Sequence, residues 1–282
     1  DIDPARAISL YYHIPFCRNI CYFCACNVIY TKNKEKAEPY IAALTREMDL
    51  VAEQTQARLK VEQLHWGGGT PSFLSHEQMN MLMAQIYRRY DFVPGAEISI
   101  ELDPRETSPE QIGTLADLGF NRASLGVQDF DPSVQTAVNR IQPEDITEQA
   151  YNHLRARGFR SINFDLIYGL PLQTVDTFAK TMEKVVGFRP DRISIFNFAY
   201  VPWLKKHQLR MNKEDLPSTE TRLQILSYAV DRLQKAGYVH IGMDHFALPD
   251  DELTVSLRDG SLRRNFQGYS TRGGTELIGF GV

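Results

Sequence analysis

The sequence predicts an α/β fold built on a parallel sheet that curls toward a barrel. Three observations lead there: short apolar, β-branched runs recur along the chain, helical stretches fall between them, and at least six such units follow one another. So many strand–helix units favour a curled sheet over an open one. Strands are expected at 8–14, 61–66, 96–102, 121–127, 161–167 and 192–198, with a seventh short one at 238–243. They read as near-continuously apolar, as strands buried on both faces do. The first helix is expected at 39–54. Ser75 reads as the N-cap of a helix over 78–90, and Ser108-Pro109-Glu110 opens another with proline in its first turn. A helix at 150–157 is closed by Gly158, and two more fit 175–186 and 219–235.

From 244 to 282 the pattern turns irregular, polar and glycine-rich. The expected organisation is therefore a partial barrel over 1–243 and an irregular extension over 244–282 leading toward a further C-terminal domain. The chain opens without Met and stops directly after an apolar stretch, so it reads as a piece of a longer protein. There is no internal repeat and no low-complexity linker.

Charge and hydropathy exclude several classes. Lys and Arg number 31 against 35 Asp and Glu, so 31 − 35 = −4 and nothing marks a nucleic-acid partner. No apolar run reaches the roughly 18 residues of a membrane span. The first residues do not resemble a signal peptide.

All 4 cysteines, Cys17, Cys21, Cys24 and Cys26, lie directly after the first expected strand, spaced C-x3-C-x2-C-x-C. A disulfide framework spreads its cysteines to staple distant segments. This crowding points instead to a reducing compartment and a metal. Three close thiolates can hold three irons of a cubic cluster and leave the fourth iron open to chelate an amino and a carboxylate group. A structural zinc site is the plainer alternative, although no second cysteine pair and no histidine pair completes one. A four-cysteine cluster is another, with C-x-C a strained way to supply its fourth ligand.

C-x3-C-x2-C is the signature of the radical S-adenosylmethionine superfamily, and the chain resembles that family. Within it, the chain is similar to the branch of oxygen-independent coproporphyrinogen III dehydrogenases. The likeness is carried by Tyr11-Tyr12-His13-Ile14-Pro15-Phe16-Cys17, His65-Trp66-Gly67-Gly68-Gly69-Thr70-Pro71 and Glu97-Ile98-Ser99-Ile100-Glu101-Leu102-Asp103-Pro104. Further on it rests on Gly126-Val127-Gln128-Asp129-Phe130, Asp165-Leu166-Ile167-Tyr168-Gly169-Leu170-Pro171, Gly242-Met243-Asp244-His245-Phe246-Ala247 and Asn265-Phe266-Gln267-Gly268-Tyr269. A related branch of haem chaperones, which bind haem without turning over a porphyrinogen, has Phe where this chain has Cys26; that position favours the dehydrogenase.

The resemblance implies an incomplete parallel (β/α)6-type radical SAM barrel with the cysteine loop at its mouth. It implies a 4Fe-4S cluster held by Cys17, Cys21 and Cys24 and two molecules of S-adenosyl-L-methionine. Tyr11, Gly68, Glu101, Gln128, Arg140 and Asp165 match positions around the cluster-bound molecule, and Ala199 a backbone contact to its adenine. Phe23, Cys26, Gly69, Thr70, Phe266 and Gln267 match positions near the second. It implies that one electron splits the sulfonium and that the resulting 5′-deoxyadenosyl radical takes a hydrogen from a propionate β-carbon. Two propionates then become vinyl groups in turn, giving protoporphyrinogen IX. The implied partners are a tetrapyrrole substrate and a small electron-transfer protein as reductant. The implied setting is a cytoplasmic monomer with no membrane span and no nucleic acid.

His13 and His65 fall in expected strands and read as satisfied core groups, whereas His245 follows a strand end and could serve a site. Lys205-Lys206 and Arg263-Arg264 are basic pairs that read as solvated surface or as contacts for propionates.

Overall fold

The computed structural model describes residues 3, 5–55, 57–265, 268–272 and 274–282. Its centre is a mostly parallel sheet. Six strands come from the expected runs: β1 (Ile8–Ile14), β2 (Lys60–Gly68), β3 (Asp91–Leu102), β4 (Arg122–Gln128), β5 (Ser161–Tyr168) and β6 (Arg192–Asn197). They lie side by side in chain order, each parallel to the next. Helices α1 (Ala37–Thr55), α2 (His76–Arg89), α3 (Pro109–Asp117), α4 (Pro132–Ala137), α5 (Glu144–Ala156), α6 (Val175–Phe188) and α7 (Thr219–Lys235) fill the connections. Two are capped as expected: Ser75 and Ser108 each form a reciprocal capping box, with Gln78 and Gln111. α5 starts at Glu144, well before the expected 150, because its first turn is acidic rather than apolar and suits the positive helix end. β3 starts at Asp91 because Pro94 and Gly95 interrupt its pairing with β2 instead of preceding the strand; the register slips between Val61 and Gln63, and Gly95 has φ 78°.

The segment 244–282 departs from its reading as irregular. β7 (Val239–Gly242) and β8 (His245–Ala247) form an antiparallel pair, and β8 joins β6, so the expected seventh parallel strand is an edge strand reached through β8. Helix α8 (Glu252–Asp259) and a hairpin of Arg263–Asn265 with Gly268–Ser270 follow. β9 (Glu276–Phe280) then pairs parallel with β1 and forms the opposite edge. Such short elements, punctuated by glycine, leave no periodic signal.

The strands are not apolar on both faces. β4 alternates: Ala123, Leu125 and Val127 are buried, and Arg122, Ser124 and Gln128 point the other way. The apolar face packs under the helices in one large core that includes Trp66, Leu125, Phe164 and Phe178. The other face is polar, and residues from β1 through β6 line one cavity of about 430 Å³. Tyr11 of the first strand and Ser194 of the sixth share that cavity, so the sheet curls into a trough, with β9 and β7 as its free edges. No helix among the described residues is long and apolar enough to cross a membrane.

Candidate functional site

β1 delivers the chain to the mouth of the trough. Phe16–Cys17 pairs with Ile29–Tyr30, which pins both ends of the cysteine loop. Side chains from distant segments grip the loop's backbone carbonyls. Asn139 Nδ2 donates to Ile20 O at 2.7 Å, Gln208 Nε2 to Phe23 O at 3.1 Å, and Lys205 Nζ to Cys26 O at 2.7 Å. His207 Nε2 lies 2.7 Å from Cys24 O, and His13 Nε2 lies 2.9 Å from Asn27 O. Lys205, a solvated cation or propionate contact by sequence, thus holds the loop.

All four cysteines are free and line a second cavity of about 440 Å³ at the carboxyl ends of the strands. Among the described residues no three His, Cys or acidic groups stand close enough for a lone metal ion. Several thiols lining one cavity are the donor set that an iron–sulfur cluster takes. Cys17 Sγ lies 3.4 Å from Thr70 Oγ1, and burial pushes its thiol up to about 12. A proton shared with Cys26 pulls the Cys24 thiol down to about 7 and raises that of Cys26. Cys21 is buried, and two guanidinium groups reach its sulfur: Arg105 Nη2 at 3.4 Å and Arg140 Nη1 at 3.5 Å.

Gly68, Gly69 and Thr70 form the wall facing the cysteines. A Cβ on Gly69 would stand 2.7 Å from the Pro15 carbonyl carbon and 2.8 Å from Phe16 O, so only glycine lets this turn pass behind the loop. Their N–H groups are engaged internally, Gly68 to Glu101, Gly69 to Ile14 O and Thr70 to Phe16 O. An incoming ammonium would have to meet carbonyl oxygens.

Glu101, at the end of β3, accepts Gly68 N–H through Oε2 at 3.0 Å and faces His65 Nε2 through Oε1 at 3.3 Å. It lies deep in the molecule, yet its side chain is 44% exposed to the cavity. Burial raises its carboxyl, but His65 and the Gly68 N–H more than offset that, leaving it below the usual carboxylate range. Asp165 on β5 accepts from Asn163 Nδ2 at 2.8 Å and bonds Ser124. Burial, with the charge of Glu101, pushes it up to about 6. The two carboxylates line both cavities, together with Ser124 and Phe196, so the spaces are continuous.

Gln128 ends β4 with φ 66°, a left-handed conformation uncommon for a side-chain-bearing residue, and lines the cysteine cavity. Arg140 is buried there. It bonds Asp103 Oδ2 at 2.9 Å and Gly126 O, and its buried Nε has no partner among the described residues. Phe23 and Ala199 line the same cavity, and Ala199 O accepts Gln208 Nε2 at 3.1 Å. Tyr11 lines the polar cavity, its hydroxyl 3.0 Å from His13 Nδ1 and its ring stacked on His65 at 5.9 Å. Phe266 and Gln267 lie outside the described residues; their neighbours Asn265 and Tyr269 line the polar cavity.

Histidine roles divide. His13 and His65 are hydrogen-bonded, His65 also to Ser99 at 2.7 Å, but both are only partly buried at the site's edge rather than in a core. His245 reaches the polar cavity, and its Nδ1 has no partner among the described residues. Sequence reading assigned no role to Asp103 or Arg105. The position of Arg105, three residues beyond a strand that ends at the site, was the signal available.

The chain is similar to the oxygen-independent coproporphyrinogen III oxidase of Pseudomonas aeruginosa, 50% identical over 277 residues that cover 98% of this chain and 60% of that protein. The enzyme of the same name from Escherichia coli is 49% identical over 279 residues, covering 99% and 61%. A solved structure of coproporphyrinogen III oxidase from Escherichia coli, described as a radical SAM enzyme, superposes with a TM-score of 0.96 at 48% identity over 99% of this chain and 64% of its own. The chain thus spans about three fifths of the length of the curated relatives it matches. Residues 11–185 match the family model of the radical SAM superfamily, and with the curled parallel sheet and the cysteine loop at its mouth, the chain belongs to that superfamily, whose cofactors are a 4Fe-4S cluster and S-adenosyl-L-methionine.

Proposed function

We propose that this chain is the core of an enzyme that oxidatively decarboxylates two propionate side chains of coproporphyrinogen III to vinyl groups, giving protoporphyrinogen IX in haem biosynthesis. The observation that carries this reading is about half identity, across nearly the whole chain, to relatives named for that reaction.

In the proposed site Cys17, Cys21 and Cys24 hold the cluster. When bound, the cluster and S-adenosyl-L-methionine supply a one-electron cleavage that yields a carbon radical able to take hydrogen from substrate. This chain's residues bind and orient. The guanidinium of Arg140, on the wall of the cysteine cavity, suits a carboxylate. Glu101 and Asp165, facing one continuous space, suit an ammonium and sugar hydroxyls. Gln128 and Tyr11 stand on the walls of that space. Cys26 is left over from the cluster set. With Phe23, Gly69 and Thr70 it borders the cavity where a second S-adenosyl-L-methionine fits the reading, with Phe266 and Gln267 assigned to the same molecule. The polar face of the sheet keeps the binding groups hydrogen-bonded, with the apolar core behind them on the helix side. The remaining parts of the proposal are a small electron-transfer protein as reductant, a tetrapyrrole as substrate, a monomer, a cytoplasmic location, and a chain that continues toward a further domain beyond the partial barrel.

The test is an anaerobic assay of the reconstituted full-length protein with S-adenosyl-L-methionine, a reductant and coproporphyrinogen III. Protoporphyrin after oxidation, together with 5′-deoxyadenosine, is expected. 5′-Deoxyadenosine alone would remove the substrate assignment. Tight haem binding with neither product would replace the enzyme by a haem chaperone.

A further inference from the structure

Cys21 differs from the other cysteines in what meets its sulfur. Cys17 faces a neutral hydroxyl, that of Thr70. Cys21 faces two guanidinium groups, Arg105 Nη2 at 3.4 Å and Arg140 Nη1 at 3.5 Å. Both are held by one carboxylate. Asp103 Oδ1 accepts the backbone N–H and Nε of Arg105, each at 3.0 Å, and Oδ2 accepts Arg105 Nη2 at 2.7 Å and Arg140 Nη1 at 2.9 Å. The side chains of Asp103, Arg105 and Arg140 are 9%, 14% and 7% exposed. The fork of Arg105 cannot swing away, because Asp103 takes its backbone, its Nε and its Nη2 at once.

The charges do not cancel. Arg18 and Glu106 face the same group, so three guanidinium groups meet two carboxylates; only Arg105 and Arg140 reach the Cys21 sulfur, and Arg140, with Lys205, also bears on Cys24. Asp103 stays ionised: burial raises its carboxyl, but Arg140 and Arg105 bring it down to about 2. A cluster ligated there gains negative charge on reduction. Cationic N–H donors at the sulfur stabilise that charge more than the oxidised state, and low local polarity enlarges the effect.

We propose that Arg105, clamped by Asp103 against Cys21, is a positioning residue that raises the reduction potential of the cluster. It rests on the reading that Cys17, Cys21 and Cys24 hold the cluster. Arg140 shares the arrangement but also bonds Gly126 O and bears on Cys24, so Arg105 is the cleaner probe.

The experiment is a potentiometric titration of the reconstituted full chain, followed by electron paramagnetic resonance without S-adenosyl-L-methionine, for wild type, Arg105→Met and Arg105→Lys. At the wild-type midpoint, the reduced-to-oxidised ratio in Arg105→Met should fall at least tenfold, which for one electron is about 59 mV. Arg105→Lys keeps the charge but loses the fork and should fall between. A clamp that merely holds the loop would change thermal stability and leave the potential unmoved. Equal midpoints for wild type and Arg105→Met at equal iron content overturn the proposal. If Arg105→Met takes up no iron, an unchanged midpoint in Arg105→Lys overturns it instead. A wild type that takes up no cluster removes the cysteine reading and this inference together.

Discussion

Oε2 of Glu101 accepts the backbone N–H of Gly68 at 3.0 Å, tying the end of β3 to the glycine turn that closes β2. One carboxylate therefore both shapes the turn and presents charge to the cavity. The two roles separate in Glu101→Gln, whose amide oxygen can still accept from Gly68. The variant should keep its thermal midpoint within a few degrees while its dissociation constant for S-adenosyl-L-methionine, read by calorimetry, rises at least tenfold, about 1.4 kcal/mol. Unchanged affinity would remove Glu101 from the binding set.

The glycine turn has a steric reason at Gly69. In Gly69→Ala the new methyl meets Pro15 and Phe16 backbone at 2.7–2.8 Å, and backbone cannot rotate aside. We expect a loss on the order of 2 kcal/mol in urea unfolding, with reduced iron uptake because the displaced strand carries Cys17. Gly187, inside α6 with nothing within 4 Å of its Cβ position, is the control. Gly187→Ala should be stabilising by roughly 0.5–1 kcal/mol.

Asp165 holds its proton more tightly in the folded chain, where burial and Glu101 raise it to about 6, than its ordinary 3.8. Between those values the unfolded chain carries fewer protons than the folded one, so stability falls as pH rises from about 4 to 6. Asp165→Asn removes this component. Its advantage over wild type should grow across that window, to roughly 1–3 kcal/mol above pH 7. Melting temperatures of both proteins from pH 4 to 8 decide it; parallel curves would refute it.

Cluster ligation should divide the four cysteines. Ala at Cys17, Cys21 or Cys24 should abolish stable iron and sulfide uptake, whereas Cys26→Ser should retain both at wild-type stoichiometry. Complete loss in Cys26→Ser would place Cys26 among the ligands.

Much of the site was legible in the sequence because its parts sit in short local signatures. The cysteine spacing, the glycines after β2 and the carboxylates at strand ends each mark a place where ordinary strand or helix chemistry fails. What escaped depends on contacts distant in the chain. Arg105 reads as a surface residue until Asp103 and Cys21 close around it, 84 residues away in the second case. Lys205 reaches back 179 residues to hold the cysteine loop. β9 pairs with β1 from the opposite end of the chain, which no local periodicity announces. The polar face of the strands is written in period-two alternation that the apolar content of the runs masks: Arg122-Ala123-Ser124-Leu125 and Ser161-Ile162-Asn163-Phe164-Asp165-Leu166 alternate polar and apolar residues. Along β4 and β5 those residues, Ser124, Asn163 and Asp165, line the cavity.

Electron paramagnetic resonance of the reduced, reconstituted chain, before and after S-adenosyl-L-methionine is added, bears most directly on whether Cys17, Cys21 and Cys24 hold a cluster with an iron left open to S-adenosyl-L-methionine. A cluster signal whose shape changes on addition is expected. A chain that yields no such signal, or one identical with and without S-adenosyl-L-methionine, would contradict it.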